Sequence, residues 1–258
     1  MNAWKLVPLG TIAALALTGC GGGGGESGTG GTPGSTAAVA FPVDTTTAAT
    51  ITGTVRFAGT RPTLARIDMS EEATCAGKHP NGAFDESVVV NSNGTLANVY
   101  VYVKEGLSPS LTFPVPSEAV TINQDGCVYH PRVFGIQVGQ TLNIQNSDGL
   151  LHNIKAVPTI NRPFNISQPT NMTTTRTFTT PEIMVPLECN VHSWMNAFVG
   201  VTNHPYHATT GADGSFTIRR LPPGTYTIEI RHERYGASTQ QVTVGASESK
   251  TVEFTVRG

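Results

Sequence analysis

The strongest constraint on the fold is a set of short runs in which apolar and polar residues alternate. Each is closed within a few residues by Gly, Pro, Asn or Asp. Ile51-Thr-Gly-Thr-Val-Arg-Phe57 alternates and stops at Ala58-Gly59-Thr60-Arg61-Pro62. Successive side chains of a strand point to opposite faces, so period two marks a strand with one buried face, whereas an amphipathic helix needs a period near 3.6. Similar runs lie at residues 119–123, 133–138, 141–146, 175–179, 183–189, 198–202 and 225–230. Residues 87–91 and 96–103, with Ser92-Asn-Gly94 between them, predict a hairpin. So do the flanks of Asp213-Gly214 over residues 209–218. Ser70-Glu-Glu-Ala73 reads as one helical turn, and the Thr/Asn/Pro-rich stretch from His152 to Thr174 as irregular. No long helical period follows the N-terminal region. With 28 Gly, 17 Pro and only 13% charged residues, the chain is expected to be all-β.

The N-terminus has a different character. Lys5 precedes an apolar run over residues 6–17, too short to span a bilayer comfortably, which reads as an export signal over residues 1–19. The run ends in Leu17-Thr18-Gly19-Cys20, which resembles the bacterial lipoprotein lipobox. That resemblance implies cleavage before Cys20 and lipid on it. Gly21 after the Cys implies outer-membrane sorting in a Gram-negative envelope. Residues 20–46, opening with five glycines, read as a tether that buries too little apolar surface to order itself. Coil scaling gives about 25 such residues a reach of about 28 Å. The folded part is thus expected on the periplasmic side of a membrane, anchored by lipid. A net charge of −2 gives no footprint for nucleic acid.

Chemistry concentrates in Cys189-Asn-Val-His192-Ser-Trp-Met195, where a thiol, an imidazole and a thioether follow one another at intervals of three. A second imidazole, His152, follows Ser147-Asp148-Gly-Leu-Leu. Two His, one Cys and a weak Met form the ligand set of a mononuclear blue-copper site. "GIQVGQTLNIQNSD", "LHN" and "CNVHSWMNAFVGVT", in that order, resemble the cupredoxins of the plastocyanin and amicyanin group over residues 119–203. The resemblance implies a Greek-key sandwich with one type 1 copper held by His152, Cys189, His192 and Met195. It also implies that Asn153 bonds across to the Cys loop, and that the His192 edge passes electrons through a patch of Met195, Trp194 and Phe198. Ser193-Trp194 stands where the family has a Pro after the loop His, which bears on loop rigidity and potential.

"GADGSFTIRRLPPGTYTIEI" is similar to the carboxypeptidase regulatory-like, or transthyretin-like, sandwich, and "GTVRFAG" at residues 53–59 to its opening strand. One reading is a discontinuous sandwich of residues 47–108 and 204–258 with the cupredoxin, residues 109–203, inserted; insertion is tolerated where chain ends lie close together. The plainer reading is two sequential domains. The whole chain is also similar to proteins called methylamine utilisation proteins.

Four cysteines are present. With Cys20 lipidated, Cys75, Cys127 and Cys189 remain, and exported thiols usually pair. Cys75 with Cys127 is one pairing, which leaves Cys189 free. The rival is a two-Cys, two-His metal site made with His79 and His130. His204, His207 and His232 read as surface or inter-domain hydrogen-bonding residues. No nucleophile elbow, Walker loop or His-Glu-x-x-His stands in the sequence. A fully ligated metal has no open position, so no enzyme is expected. The expected function is single-electron transfer with a redox protein as donor or acceptor. A non-redox envelope-binding lipoprotein and a copper buffering or delivery protein are the alternatives.

Overall fold

The structure, a computed structural model, describes residues 42–258. The signal peptide, Cys20 and the tether up to residue 41 lie outside the described residues. The end of the predicted tether is packed. Val43 is buried in an apolar core, and Thr46 donates from its N–H and its hydroxyl to Asp44 Oδ1 at 2.8 and 2.7 Å. Among the described residues no helix is long and apolar enough to cross a membrane.

The chain begins with β1 (Ala49–Ala58), β2 (Arg66–Ile67), α1 (Ala73–Lys78), β3 (Ala83–Phe84) and β4 (Tyr100–Glu105). A second block holds β5 (Val120–Gln124), β6 (Tyr129–His130), β7 (Val133–Gln137), β8 (Leu142–Asn146) and β9 (His152–Ala156). It continues with β10 (Phe164–Gln168), β11 (Met172–Arg176), β12 (Glu182–Glu188) and β13 (Asn196–Thr202). The last block is β14 (His207–Thr209), β15 (Ser215–Leu221), β16 (Gly224–His232), β17 (Gly236–Val244) and β18 (Ser249–Arg257).

The described chain is almost wholly β and folds into two sandwiches. In one, the sheet β15-β1-β18 faces the sheet β14-β4-β16-β17. The inward members of each alternating run, among them Ile51, Val55, Val101, Ile218, Ile228 and Phe254, form its core. β1 runs parallel to β18 from Thr50 beside Ser249 to Ala58 beside Arg257, so strands from both ends of the described chain share this sandwich. In the other, β10-β9-β12-β13-β7 faces β11-β8-β5-β6 over a core that includes Ile122, Ile136, Ile144, Ile154, Leu187 and Val199. A small flap, α1 with the two-stranded sheet β2-β3, interrupts the first block between β1 and β4.

The sandwiches meet on an aromatic seam. Tyr100 and Tyr102 of β4 pack with Val133 of β7 and Phe198 of β13. Tyr100 lies where a Cβ on Gly200 would come within 2.2 Å of its ring, and its hydroxyl donates to the Gly200 carbonyl at 3.3 Å. The His207 ring takes the corresponding place over Gly135. Arg132 closes one end with two bonds to Glu233, at 2.7 and 2.9 Å.

The two expected hairpins fare differently. Residues 87–91 do turn back on 95–97 at Ser92-Asn-Gly94, with the Asn91 N–H donating to the Thr95 carbonyl at 2.8 Å and the Ala97 N–H to the Val89 carbonyl at 3.0 Å. The pairing is a single bridge, Val90 to Leu96, and the Leu96 N–H faces the Val55 carbonyl of β1. The flanks of Asp213-Gly214 part company: β14 pairs with β4 and β15 with β1, so the turn joins two sheets. The stretch read as irregular contains β9, β10 and the start of β11. β10 and β11 are edge strands: β10 turns Phe164, Ile166 and Gln168 inward over only five residues, and β11 is exposed on nearly every residue and carries no buried period.

Candidate metal centre

Strand register brings the site together. β12 pairs with β9 through Leu187–Ala156 and Glu188–Lys155. Continuing that antiparallel register carries Cys189 alongside the His152 end of β9. β12 also pairs with β13 through Glu188–Asn196, which leaves residues 189–195 as a hairpin tip over the same end of the sandwich. The tip is folded on itself. The Cys189 N–H donates to the Met195 carbonyl at 3.2 Å, and the Met195 N–H to the His192 carbonyl at 3.0 Å. The His192 N–H points at the Cys189 sulfur, 3.4 Å away.

These bonds gather donor atoms of His152, Cys189 and His192 within 4.8 Å of one another. The two Nδ1 atoms lie 3.0 Å apart, with the rings edge to face. Exposure is 0% for His152, 6% for Cys189 and 3% for His192; Met195, at 1%, is buried in the same core as Cys189. Cys189 is the free cysteine among the described residues. Asn153, the residue after His152, ties the two segments: its Oδ1 accepts from the Asn190 N–H at 2.9 Å. Its Nδ2 donates to Asn165 Oδ1 and to the Ile166 carbonyl of β10.

Cys75 and Cys127 form a disulfide. Their sulfurs are therefore not the thiolates that the two-Cys, two-His alternative requires. His79 bonds the Gly126 carbonyl through Nε2 at 2.6 Å, and His130 is exposed on β6. Cys127 also lies within 4.8 Å of Asp148 and His152, but in a disulfide it offers no anionic sulfur.

Asp148 is absent from the set of site residues expected from sequence. Its side chain is fully buried and makes four bonds. Oδ2 accepts from His152 Nε2 at 2.7 Å and from the Cys127 N–H at 2.8 Å. Oδ1 accepts from Lys78 Nζ at 2.5 Å and from the Gly126 N–H at 2.7 Å. Gly126 and Cys127 have φ of 70° and 56°, which turns two successive N–H groups onto one carboxylate. With its Nε2 held by a carboxylate, His152 keeps Nδ1 for the centre. The spacing Asp148-x3-His152 is the signal that could have marked this residue. Lys78, 70 positions upstream of Asp148, carries none.

The electrostatics favour a thiolate. Burial opposes charge on Cys189, but His152 and the N–H groups of His192, Asn153 and Val191 outweigh it and pull the thiol below its ordinary range. Burial also opposes charge on His152, yet the Cys189 sulfur and Asp148 outweigh it and hold that imidazole up. His192 moves down, from burial first and then from the charge of His152. For Asp148, burial is overcome by Lys78, the Cys127 N–H, His152 and the Gly126 N–H, and the carboxyl is lowered.

One expectation is corrected. The family resemblance gives His192 an exposed edge within a patch of Met195, Trp194 and Phe198. Its ring is instead covered, with Nε2 3.8 Å from the Cys75 sulfur. Met195 is buried, and Phe198 packs into the seam between the sandwiches. Trp194 is half-buried beside His192, ring centres 5.1 Å apart, and donates through Nε1 to the Cys127 carbonyl at 3.0 Å. Of the histidines read as surface or inter-domain hydrogen-bonding residues, His204 and His232 are hydrogen-bonding but not at the surface: both are buried, each accepting one backbone N–H through Nδ1.

Residues 194–257 match the family of the carboxypeptidase regulatory-like domain, a quarter of the chain. No curated protein matches. Among solved structures the chain is similar to a copper-containing nitrite reductase from Thermus scotoductus SA-01, at 21% identity and TM-score 0.31. That match covers 38% of this chain and 25% of the reductase, so the chain spans about a quarter of the reductase's length. It is also similar to a methionine-to-alanine mutant of amicyanin in its Cu(I) form, at 18% identity and TM-score 0.30, over 38% of this chain and 99% of that one. A purple cupredoxin from Nitrosopumilus maritimus matches at 23% identity and TM-score 0.28, over 32% of this chain and 99% of that one. Likeness at this level assigns no function.

Proposed function

We propose that this chain is a copper protein that carries single electrons in the cell envelope. The supporting observation is the cluster of His152, Cys189 and His192 donors, buried and within 4.8 Å of one another. Two imidazoles and a thiolate, with the Met195 thioether buried in the same core, suit copper better than harder ions. His152, Cys189 and His192 would hold it, with Met195 as the weak fourth ligand, as one type 1 centre. Bound copper would supply a one-electron couple. The chain supplies rigidity: His152 starts a strand, the other three donors sit on a hairpin tip, and Asn153 bonds one segment to the other. Ligands held this way change little between charge states, which suits a carrier. Four donors leave no open position for substrate, so the reading is a carrier and not an enzyme.

The export signal and Cys20 support an anchored location on the periplasmic side of the outer membrane, with a redox protein as donor or acceptor. The test is a copper titration of the protein followed by absorption and EPR. Intense blue colour at one copper per chain, absent in Cys189→Ser, is expected. A colourless, copper-indifferent protein refutes the reading, and rapid surrender of bound copper to a chelator points to buffering instead.

A further inference from the structure

The flap, residues 66–84, precedes the metal-binding sandwich in sequence and belongs to none of the site motifs. Its reach is nonetheless directed at the centre. Cys75 of α1, fully buried, lies against His192 Nε2 at 3.8 Å. Lys78, the last residue of α1, bonds the carboxylate that holds His152 Nε2. The outer nitrogens of both imidazoles therefore face the flap or a residue bonded to it. Most of the rest of the flap is exposed. Its attachments are few: the disulfide to Cys127, the Lys78–Asp148 bond, the His79–Gly126 bond, and the buried Met69 and Ala83, which join the core beneath.

We infer that this flap is a strapped lid, with Cys75 and Lys78 as positioning residues that close the histidine side of the centre and set how readily metal enters and leaves. The lid deepens the copper reading and rests on it, but its closure concerns the metal-free protein as well. A segment held by so few contacts opens locally once they are cut. Cys189, beneath it, is a built-in reporter of that opening.

The experiment measures alkylation of Cys189 by iodoacetamide in metal-free protein, and release of Cu(I) to a chelator from loaded protein. It compares the wild type, Cys75→Ser/Cys127→Ser and Lys78→Met. In the double variant both rates rise by about tenfold or more. Lys78→Met keeps the disulfide and loses the ion pair to the buried Asp148 carboxylate and the longer one, 3.8 Å, to Asp125, so its rates rise by about two- to fivefold. Should the double variant fail to fold, Lys78→Met decides the matter, since Lys78 is exposed. Rates unchanged in folded variants overturn the lid. Copper uptake with indifferent rates removes the lid and leaves the copper reading; a gated Cys189 in a protein that takes no copper does the reverse.

Discussion

Acid should loosen this protein before its carboxylates begin to titrate, and the cause is a pair of buried histidines. Burial lowers His204 to about 4 from 6.5, and lowers His232 to about 4, helped by Arg132 and Arg234. Among the described residues His232 Nε2 has no hydrogen-bond partner, so a proton there would be held without compensation. The sign follows from the depressed folded values. Neutral histidine is favoured in the fold, so the stability is present above 6.5 and is lost as pH falls from 6.5 towards 4. Between pH 7 and 5 each group costs about 2 kcal/mol, or about 4 kcal/mol for the pair. His207, packed on Tyr100 and lowered to about 4 by burial and His204, adds in the same direction. His152 and His192 shift in opposite directions. The assay is urea unfolding of metal-free protein in steps from pH 7 to 5. His232→Asn keeps an acceptor for the Arg234 N–H and should recover about 2 kcal/mol of the acid loss. A wild-type profile that is flat over this range refutes the reasoning, as does an unchanged slope in the variant.

Two further substitutions test the packing and the site. Gly200→Ala places a methyl within 2.2 Å of the Tyr100 ring and should cost about 1–3 kcal/mol, seen as a lower urea midpoint. Asn153→Ala removes the bond to the Asn190 N–H that ties the ligand loop to β9; copper affinity by chelator competition should fall about 10- to 100-fold while the fold is retained.

The sequence carried the fold where burial is periodic. β8 alternates Leu142, Ile144 and Asn146 inward, and β16 alternates Tyr226, Ile228 and Ile230, and both were legible. β11 was not, because an edge strand with two wet faces has no period to read, and the alternation of β10 is only five residues long inside a Thr/Asn/Pro-rich stretch. The Asp213-Gly214 hairpin failed for another reason: a turn signal states that the chain reverses, not which strand receives each flank. In the site, spacing placed His152, Cys189, His192 and Met195, and the cysteine count put the disulfide among its readings. Burial of His192 could not be read. It depends on Cys75, far upstream, and nothing in a loop's own residues states what will lie over it.

The parallel pairing of β1 with β18 also sets an order of assembly. The strand near residue 50 pairs on one side with residues 215–221 and on the other with the strand near residue 250, and contacts so distant in sequence are slow to form. The sandwich with the donor atoms is one contiguous stretch and waits for neither end. Its sulfur and imidazoles can gather while the surrounding sandwich is still half-made. The Cys75–Cys127 bond stitches the early chain to it, so the part that closes last is held in place by a stitch laid down inside the part that closes first.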